Sequence, residues 1–285
     1  MAIDAATTLG AVRLNVADLP AMRAFYERVI GLTSLEGGSA AARLGAGQGA
    51  PLVELIERPD APPRPPGTTG LFHLAILVPD RRELARALER VASAGWRLTG
   101  ASDHLVSEAL YLDDPEGNGI ELYRDRPREE WSYEGGTLQM ATLPLDLEGL
   151  AGELQGDRSD SGMTTGTRIG HVHLQVADLD AAESFYHGIL GFDVSVRSYP
   201  GALFVSAGGY HHHIGLNTWA GEGAPPPPAG ARGLRWFEVV TPEAEVEAIA
   251  ERARGAGLET ARDEGGVRLS DPSSNGVVLR APNQT

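Results

Sequence analysis

The sequence predicts an α+β fold built from one βαβββ unit repeated four times, and three observations predict it. First, residues 10–19 (Gly-Ala-Val-Arg-Leu-Asn-Val-Ala-Asp-Leu) and 170–179 (Gly-His-Val-His-Leu-Gln-Val-Ala-Asp-Leu) share one alternating strand pattern with the same Ala-Asp-Leu ending. Each is followed by an Ala-containing stretch with Phe-Tyr at 25–26 or 185–186, closed by Ile30-Gly31 or Leu190-Gly191. Second, Leu71–Asp80 and Leu234–Pro242 open two further strands, followed by helical stretches over Arg82–Gly95 and Ala244–Gly257. Third, these last two units both end in an Asp-Pro hairpin, at Asp114–Gly119 and at Asp271–Gly276.

The four modules are expected at residues 8–60, 68–128, 167–220 and 231–285. In each, a strand of period two leads into a helix, and short strands with Gly-rich turns follow. Asp18, Asp80 and Asp178 stand where a helix cap is needed, because a short carboxylate can accept from the first unpaired backbone N–H groups. A glycine ends the helix by adopting the left-handed conformation. In the hairpin of module two, Asp114-Pro115 starts the turn, Gly117 and Gly119 permit positive φ, and Ile120, Leu122 and Tyr123 favour extended backbone. Pro59–Gly67 and Gly221–Gly233 read as exposed, stiff connectors. Modules one and two form an expected N-terminal domain, 1–128, and modules three and four a C-terminal domain, 167–285. The connector between them, 129–166, carries a short helix near Leu145–Leu154, with Trp131 and Tyr133 expected to pack.

Composition narrows the function. The chain has 285 residues, a net charge of -15 and a pI of about 4.9, which argues against nucleic acid as a partner. No apolar run is long enough for a membrane span, and the N-terminus lacks the pattern of a signal peptide, so a cytoplasmic location is expected. With no cysteine, thiolate metal sites and cysteine nucleophiles are excluded. A metal would be held by nitrogen and oxygen, which directs attention to the eight histidines. Glu121, in the apolar strand after the hairpin turn, is either a solvent-facing residue of an alternating strand or a ligand pointing inward. Taken singly, His73 and His171 read as core histidines with satisfied hydrogen bonds.

The tandem unit, the Phe-Tyr…Leu-Gly-Phe helix and the Asp-Pro-x-Gly-Asn-x-x-Glu hairpin together resemble the vicinal oxygen chelate superfamily of glyoxalases, bleomycin-resistance proteins and extradiol dioxygenases. The stretch Gly-Tyr-His-His-His-Ile-Gly-Leu-Asn-Thr-Trp (209–219) is similar to the catechol 2,3-dioxygenase branch. The resemblance implies that the modules curl into two cup-shaped half-barrel sheets with helices outside. It also implies a metal site made from first-strand histidines of two paired modules and a last-strand glutamate. The first-strand position holds Ala11, His73, His171 and, less securely aligned, Trp236; the glutamate position holds Glu121 in module two and Val278 in module four. The ligand set implied is therefore His73, His171 and Glu121. Two-domain extradiol enzymes keep both histidines and the glutamate in the C-terminal pair, so this chain departs from them. A metal barrel from modules two and three is expected instead, within one subunit or across a dimer.

A 2-His-1-carboxylate set with open positions suits Fe(II), with Mn(II) the other candidate. The resemblance selects His212 as acid and base, on the expectation that Tyr210–Thr218 is a strand in which His212 points away from His211 and His213. It places Tyr111 against the substrate, and His173, Phe204 and Trp219 in the pocket, with His104 at its rim. The implied function is extradiol cleavage of a catechol, inserting O2 next to the diol to give a muconic semialdehyde. The expected partners are a small aromatic diol, O2 and a second copy of the chain in a homo-oligomer, with no nucleic acid or membrane. Two alternatives share the fold: a glyoxalase-like metal-dependent isomerase or lyase, and a metal-free small-molecule binding or resistance protein.

Overall fold

Three aspartates cap their helices as the sequence predicts. The side chains of Asp18, Asp80 and Asp178 accept from the backbone N–H of Ala21, Glu83 and Ala181 at 2.9, 2.9 and 2.7 Å. Such a cap is worth about 1 kcal/mol. The computed structural model describes residues 2–47, 49–157, 162–263 and 266–282, and shows four βαβββ modules.

Module one has β1 (Thr8–Val16), α1 (Leu19–Phe25), β2 (Thr33–Gly38), β3 (Ala41–Gly45) and β4 (Pro51–Glu57). Module two has β5 (Gly70–Leu77), α2 (Arg81–Ser93), β6 (Gly100–Asp103), β7 (Ser107–Asp113) and β8 (Gly119–Asp125). The connector adds β9 (Tyr133–Glu134), β10 (Thr137–Leu138), β11 (Leu143–Pro144) and α3 (Leu147–Gly152). Module three has β12 (Arg168–Gln175), α4 (Leu179–Glu183), β13 (Asp193–Val196), β14 (Ala202–Ser206) and β15 (Ile214–Asn217). Module four has β16 (Gly233–Val240), α5 (Glu243–Gly255), β17 (Ala261–Asp263), β18 (Gly266–Ser270) and β19 (Gly276–Arg280). Within the units the strand orders are β2-β3-β4, β11-β6-β7-β8-β5, β12-β15-β14-β13 and β17-β18-β19-β16.

The chain divides into two compact units. One comprises Leu14–Ala61 and His73–Ile169, and the other Met1–Arg13, Pro62–Phe72 and Gly170–Thr285; the division passes through β1, β5 and β12. In the first unit β5 pairs parallel with β8, and β8, β7 and β6 continue antiparallel. Helix α2 buries Leu84, Ala85, Ala87 and Val91, the stripe that its 3.6-residue period creates. The second unit repeats the scheme twice, with β12 parallel to β15 and β16 parallel to β19. There α5 buries Val246, Ile249, Ala250 and Ala253.

Some expectations shift by a turn or less: α2 and α5 end two residues early, and the connector helix is Leu147–Gly152. Trp131 is buried and donates its indole N–H to the Arg126 carbonyl, whereas Tyr133 is exposed. The Pro-rich connectors are tied down, the Arg232 N–H donating to the Pro62 carbonyl and Thr69 to that of Pro225. Among the described residues, no helix is long and apolar enough to cross a membrane.

A larger difference lies in the first helices of modules one and three. Each opens as α-helix and widens to a π-helical turn, at Tyr26–Ile30 and Ser184–Ile189. The Tyr26 carbonyl accepts from both Gly31 and Leu32, and Gly31 takes φ +91° to close the turn. Within the first unit Tyr26 donates its hydroxyl to Asp114 at 3.3 Å; within the second Tyr186 donates to Asp271 at 3.0 Å. Each aspartate also folds its own hairpin. Asp114 accepts from the N–H of Glu116 and Asn118 and from the Asn118 amide. Asp271 accepts likewise from Ser273, Asn275 and the Asn275 amide.

Burial pushes the Asp114 carboxyl up to about 6, the hydrogen bonds opposing the rise, and pushes Asp271 up as well. Between the unfolded pKa near 4 and the folded pKa near 6, the folded chain holds a proton that the unfolded chain has released, so stability falls as pH rises through that window. The stability of wild type relative to D114N is therefore expected to increase by about 1–2 kcal/mol from roughly pH 7 to roughly pH 5, measured by urea unfolding.

Candidate metal centre

The carboxylate of Glu121 is delivered by the hairpin that Asp114 folds. Strand β8 is buried on both faces: Ile120 and Leu122 are fully buried and Glu121 is 3% exposed. The solvent-facing reading of Glu121 therefore fails. Register places Glu121 beside Ala75 of β5 and opposite Tyr111 of β7. His73, two residues before Ala75, shares its face of β5, and its Nε2 lies 3.0 Å from Glu121 Oε2. The wall around this pair is apolar, with Ala75, Leu77, Ala109 and Tyr123 packed together and Tyr111 against them. A carboxylate in such surroundings costs several kcal/mol unless a partner or a cation compensates.

Tyr111 and His104 form a hydrogen-bonded pair in the same unit. His104 Nδ1 lies 2.7 Å from the Ala141 carbonyl, which can only accept. In the neutral imidazole the proton therefore sits on Nδ1, leaving Nε2 to accept. Nε2 is 2.7 Å from the Tyr111 hydroxyl, so Tyr111 donates to it. The Tyr111 proton is thus committed, while its oxygen can accept a hydrogen bond from a bound hydroxyl.

In the second unit, β12 carries His171 and His173 on one face, both buried. His173 pairs in register with Gly215 of β15, and Phe204 of β14 pairs with the same glycine. A Cβ on Gly215 would lie 2.9 Å from His173 Cγ, so the absent side chain lets this ring lie across the strand. Phe204 and Trp219 stand at ring-centroid distances of 5.6 and 5.4 Å from His173. Trp219 is half exposed, with its indole N–H donated to the Pro200 carbonyl. Phe72, 5.2 Å from His173 and 5.3 Å from Trp219, joins this aromatic group without having been expected there. Alternation puts it on the face of β5 away from His73, and a hydrophobic residue in a strand carries no further signal.

The strand expected over Tyr210–Thr218 is shorter. β15 begins at Ile214, and the preceding residues form a turn in which Gly208 and Gly209 take φ of +58° and +66°. Alternation does not apply there. His211 and His212 are both buried and lie side by side, Nδ1 to Nδ1 at 2.7 Å, so one donates to the other. The His212 ring is 4.1 Å from that of His171 and 4.9 Å from Phe204. His213 accepts from the Ala207 N–H through Nδ1.

Of the three residues expected as ligands, His73 and Glu121 are buried together in the first unit and His171 is buried in the second. Two imidazoles and one carboxylate, all buried, match a non-haem Fe(II) site in donor type and number.

The model of the Glyoxalase/Bleomycin resistance protein/Dioxygenase superfamily matches residues 8–122 and 168–272. The chain is 46% identical over 277 residues to the Catechol-2,3-dioxygenase of Bacillus subtilis (strain 168), covering 95% of this chain and 96% of that one. In structure it is similar to a putative dioxygenase from Bacillus subtilis (TM-score 0.67, 14% identity, 100% and 87% of the two chains). It is also similar to glyoxalase I from Zea mays (TM-score 0.58, 18% identity, 96% and 92%). With both halves of the repeat matched, the chain belongs to the Glyoxalase/Bleomycin resistance protein/Dioxygenase superfamily.

Proposed function

We propose that the chain is an extradiol dioxygenase that cleaves a catechol next to its diol, with His73, Glu121 and His171 holding Fe(II) or Mn(II). The observation that carries this reading is the buried His73–Glu121 pair, 3.0 Å apart inside an apolar wall in the first unit, with a second buried imidazole, His171, against His212 in the second. Similarity to a Catechol-2,3-dioxygenase over nearly the whole chain supports the choice of reaction. The bound metal would supply Lewis-acid and dioxygen-activating chemistry.

The chain's own residues prepare the substrate. The Tyr111 oxygen, its proton held by His104, accepts from a catechol hydroxyl and orients the ring. His212, against His171 and Phe204, takes a proton from the diol and returns one when the ring opens. His211 fixes which tautomer His212 presents, since only one proton lies between their Nδ1 atoms. Phe204 and His173 form an apolar and aromatic wall that keeps bulk water from the reacting oxygens.

Glu121→Ala is expected to remove stoichiometric iron after anaerobic reconstitution, measured by metal analysis; unchanged iron content would reject the ligand assignment. His212→Asn should lower kcat for catechol by roughly 10²–10⁴-fold, the usual worth of a general acid and base, while iron content stays at wild-type level. Loss of metal together with activity would instead make His212 a fourth ligand and favour the glyoxalase-like isomerase. The yellow ring-fission product, formed when air and catechol are added to the Fe(II) protein, reports the reaction directly.

A further inference from the structure

Modules one and four place different chemistry at the positions that carry ligands in modules two and three. The first-strand and hairpin positions there hold Ala11, Trp236 and Val278, and these three buried side chains pack as one cluster within the second unit. Around them the sheet face is basic. Arg13, two residues after Ala11 on β1, lies 4.4 Å over the Trp236 ring. Arg268 of β18 pairs in register with Val278, and Arg280 follows Val278 by two residues, so both share its face. Glu238, in register with Val278, accepts from the Ala11 N–H and pairs with Arg280 Nη2 at 2.9 Å. Of the three guanidinium groups placed on this face, that of Arg280 pairs with Glu238.

Two donors on this face are left over. Trp236 is 3% exposed, yet among the described residues no protein group accepts from its indole Nε1. Arg280 uses Nη2 on Glu238 while its Nε, also buried, has no protein acceptor. A buried N–H without an acceptor costs about 1–3 kcal/mol, so an anion here would meet donors not yet compensated by the protein. We propose that this face binds a small organic carboxylate, held by Trp236 Nε1 and Arg280 Nε, with its apolar part on Ala11 and Val278. A carboxylate is planar and offers acceptor oxygens to two N–H donors, one of them on a guanidinium, and the acidic chain disfavours polyanions. Such a ligand has two sources around a ring-cleaving enzyme: an aromatic acid, or an open-chain dienoate like a ring-fission product. The site itself stands whether or not the ring-cleavage reading holds.

The test uses the full-length, metal-loaded protein with ¹⁵N-labelled tryptophan, which has four indole N–H resonances. The Trp236 resonance is the one missing in W236F. Titration with sodium benzoate or sodium sorbate should shift that resonance saturably, whereas benzyl alcohol and sodium chloride at matched concentration should not. R280Q should weaken the binding about tenfold or more, the loss of one charge-assisted hydrogen bond. R268Q provides a second variant should R280Q fail to fold. The tighter of benzoate and sorbate identifies the source. A Trp236 resonance that neither carboxylate moves, or that benzyl alcohol moves equally, overturns the proposal and leaves a donor satisfied by water only.

Discussion

The structure depends on burying one carboxylate. Glu121 sits in a strand that is apolar before and after it, 3% exposed, beside His73 at 3.0 Å. Burying a carboxylate among apolar side chains costs several kcal/mol unless hydrogen bonds or a cation compensate it. The apolar strand neighbours exclude the water that would otherwise solvate Glu121, which is what a strong carboxylate ligand requires. The cost of burial and the affinity for a cation are thus two aspects of one arrangement.

That carboxylate is positioned by another. Asp114 folds the turn before β8 through two backbone and one side-chain hydrogen bond, and takes a further one from Tyr26. The tyrosine is presented by a π-helical turn in module one, so the helix of one module holds the hairpin of the next. Tyr186 and Asp271 repeat the device in modules three and four. There the strand that follows carries Val278 in place of Glu121, and the hairpin keeps its geometry. The turn is therefore a folding element, and the residue it delivers is free to change.

What the sequence made legible follows from how local each signal is. Aspartate caps and the Asp-Pro turns act within four residues, and their outcome matches the reading at Asp18, Asp80 and Asp178. The ligand candidates emerged because repeats could be aligned, which turned isolated histidines into equivalent positions. Other features escaped for physical reasons. The π-helical turns carry Tyr26 and Tyr186, which donate to aspartates far along the chain, a contact of which propensity carries no trace. The phase of His211 to His213 could not be set by alternation, since two positive-φ glycines turn the chain just before them. Phe72 was invisible because aromatic contacts with His173 and Trp219 form only after strands assemble.

The contrast between the modules bears on how such a repeat acquires function. Each module offers an inward-facing position on its first strand, and modules two and four add one on the strand after the Asp-Pro hairpin. Where those positions hold His73, His171 and Glu121, they carry nitrogen and oxygen donors suited to a hard or borderline cation. In modules one and four, the first-strand and hairpin positions are occupied by Ala11, Trp236 and Val278, and the charges move outward to Arg13, Arg268 and Arg280. A carboxylate at the Val278 position would stand in register with Glu238, and two like charges across adjacent strands repel. An apolar residue there removes that repulsion and leaves Glu238 to pair with Arg280. The chemistry of the two sets of positions is consequently opposite: one offers acceptors suited to a cation, the other buried donors suited to an anion.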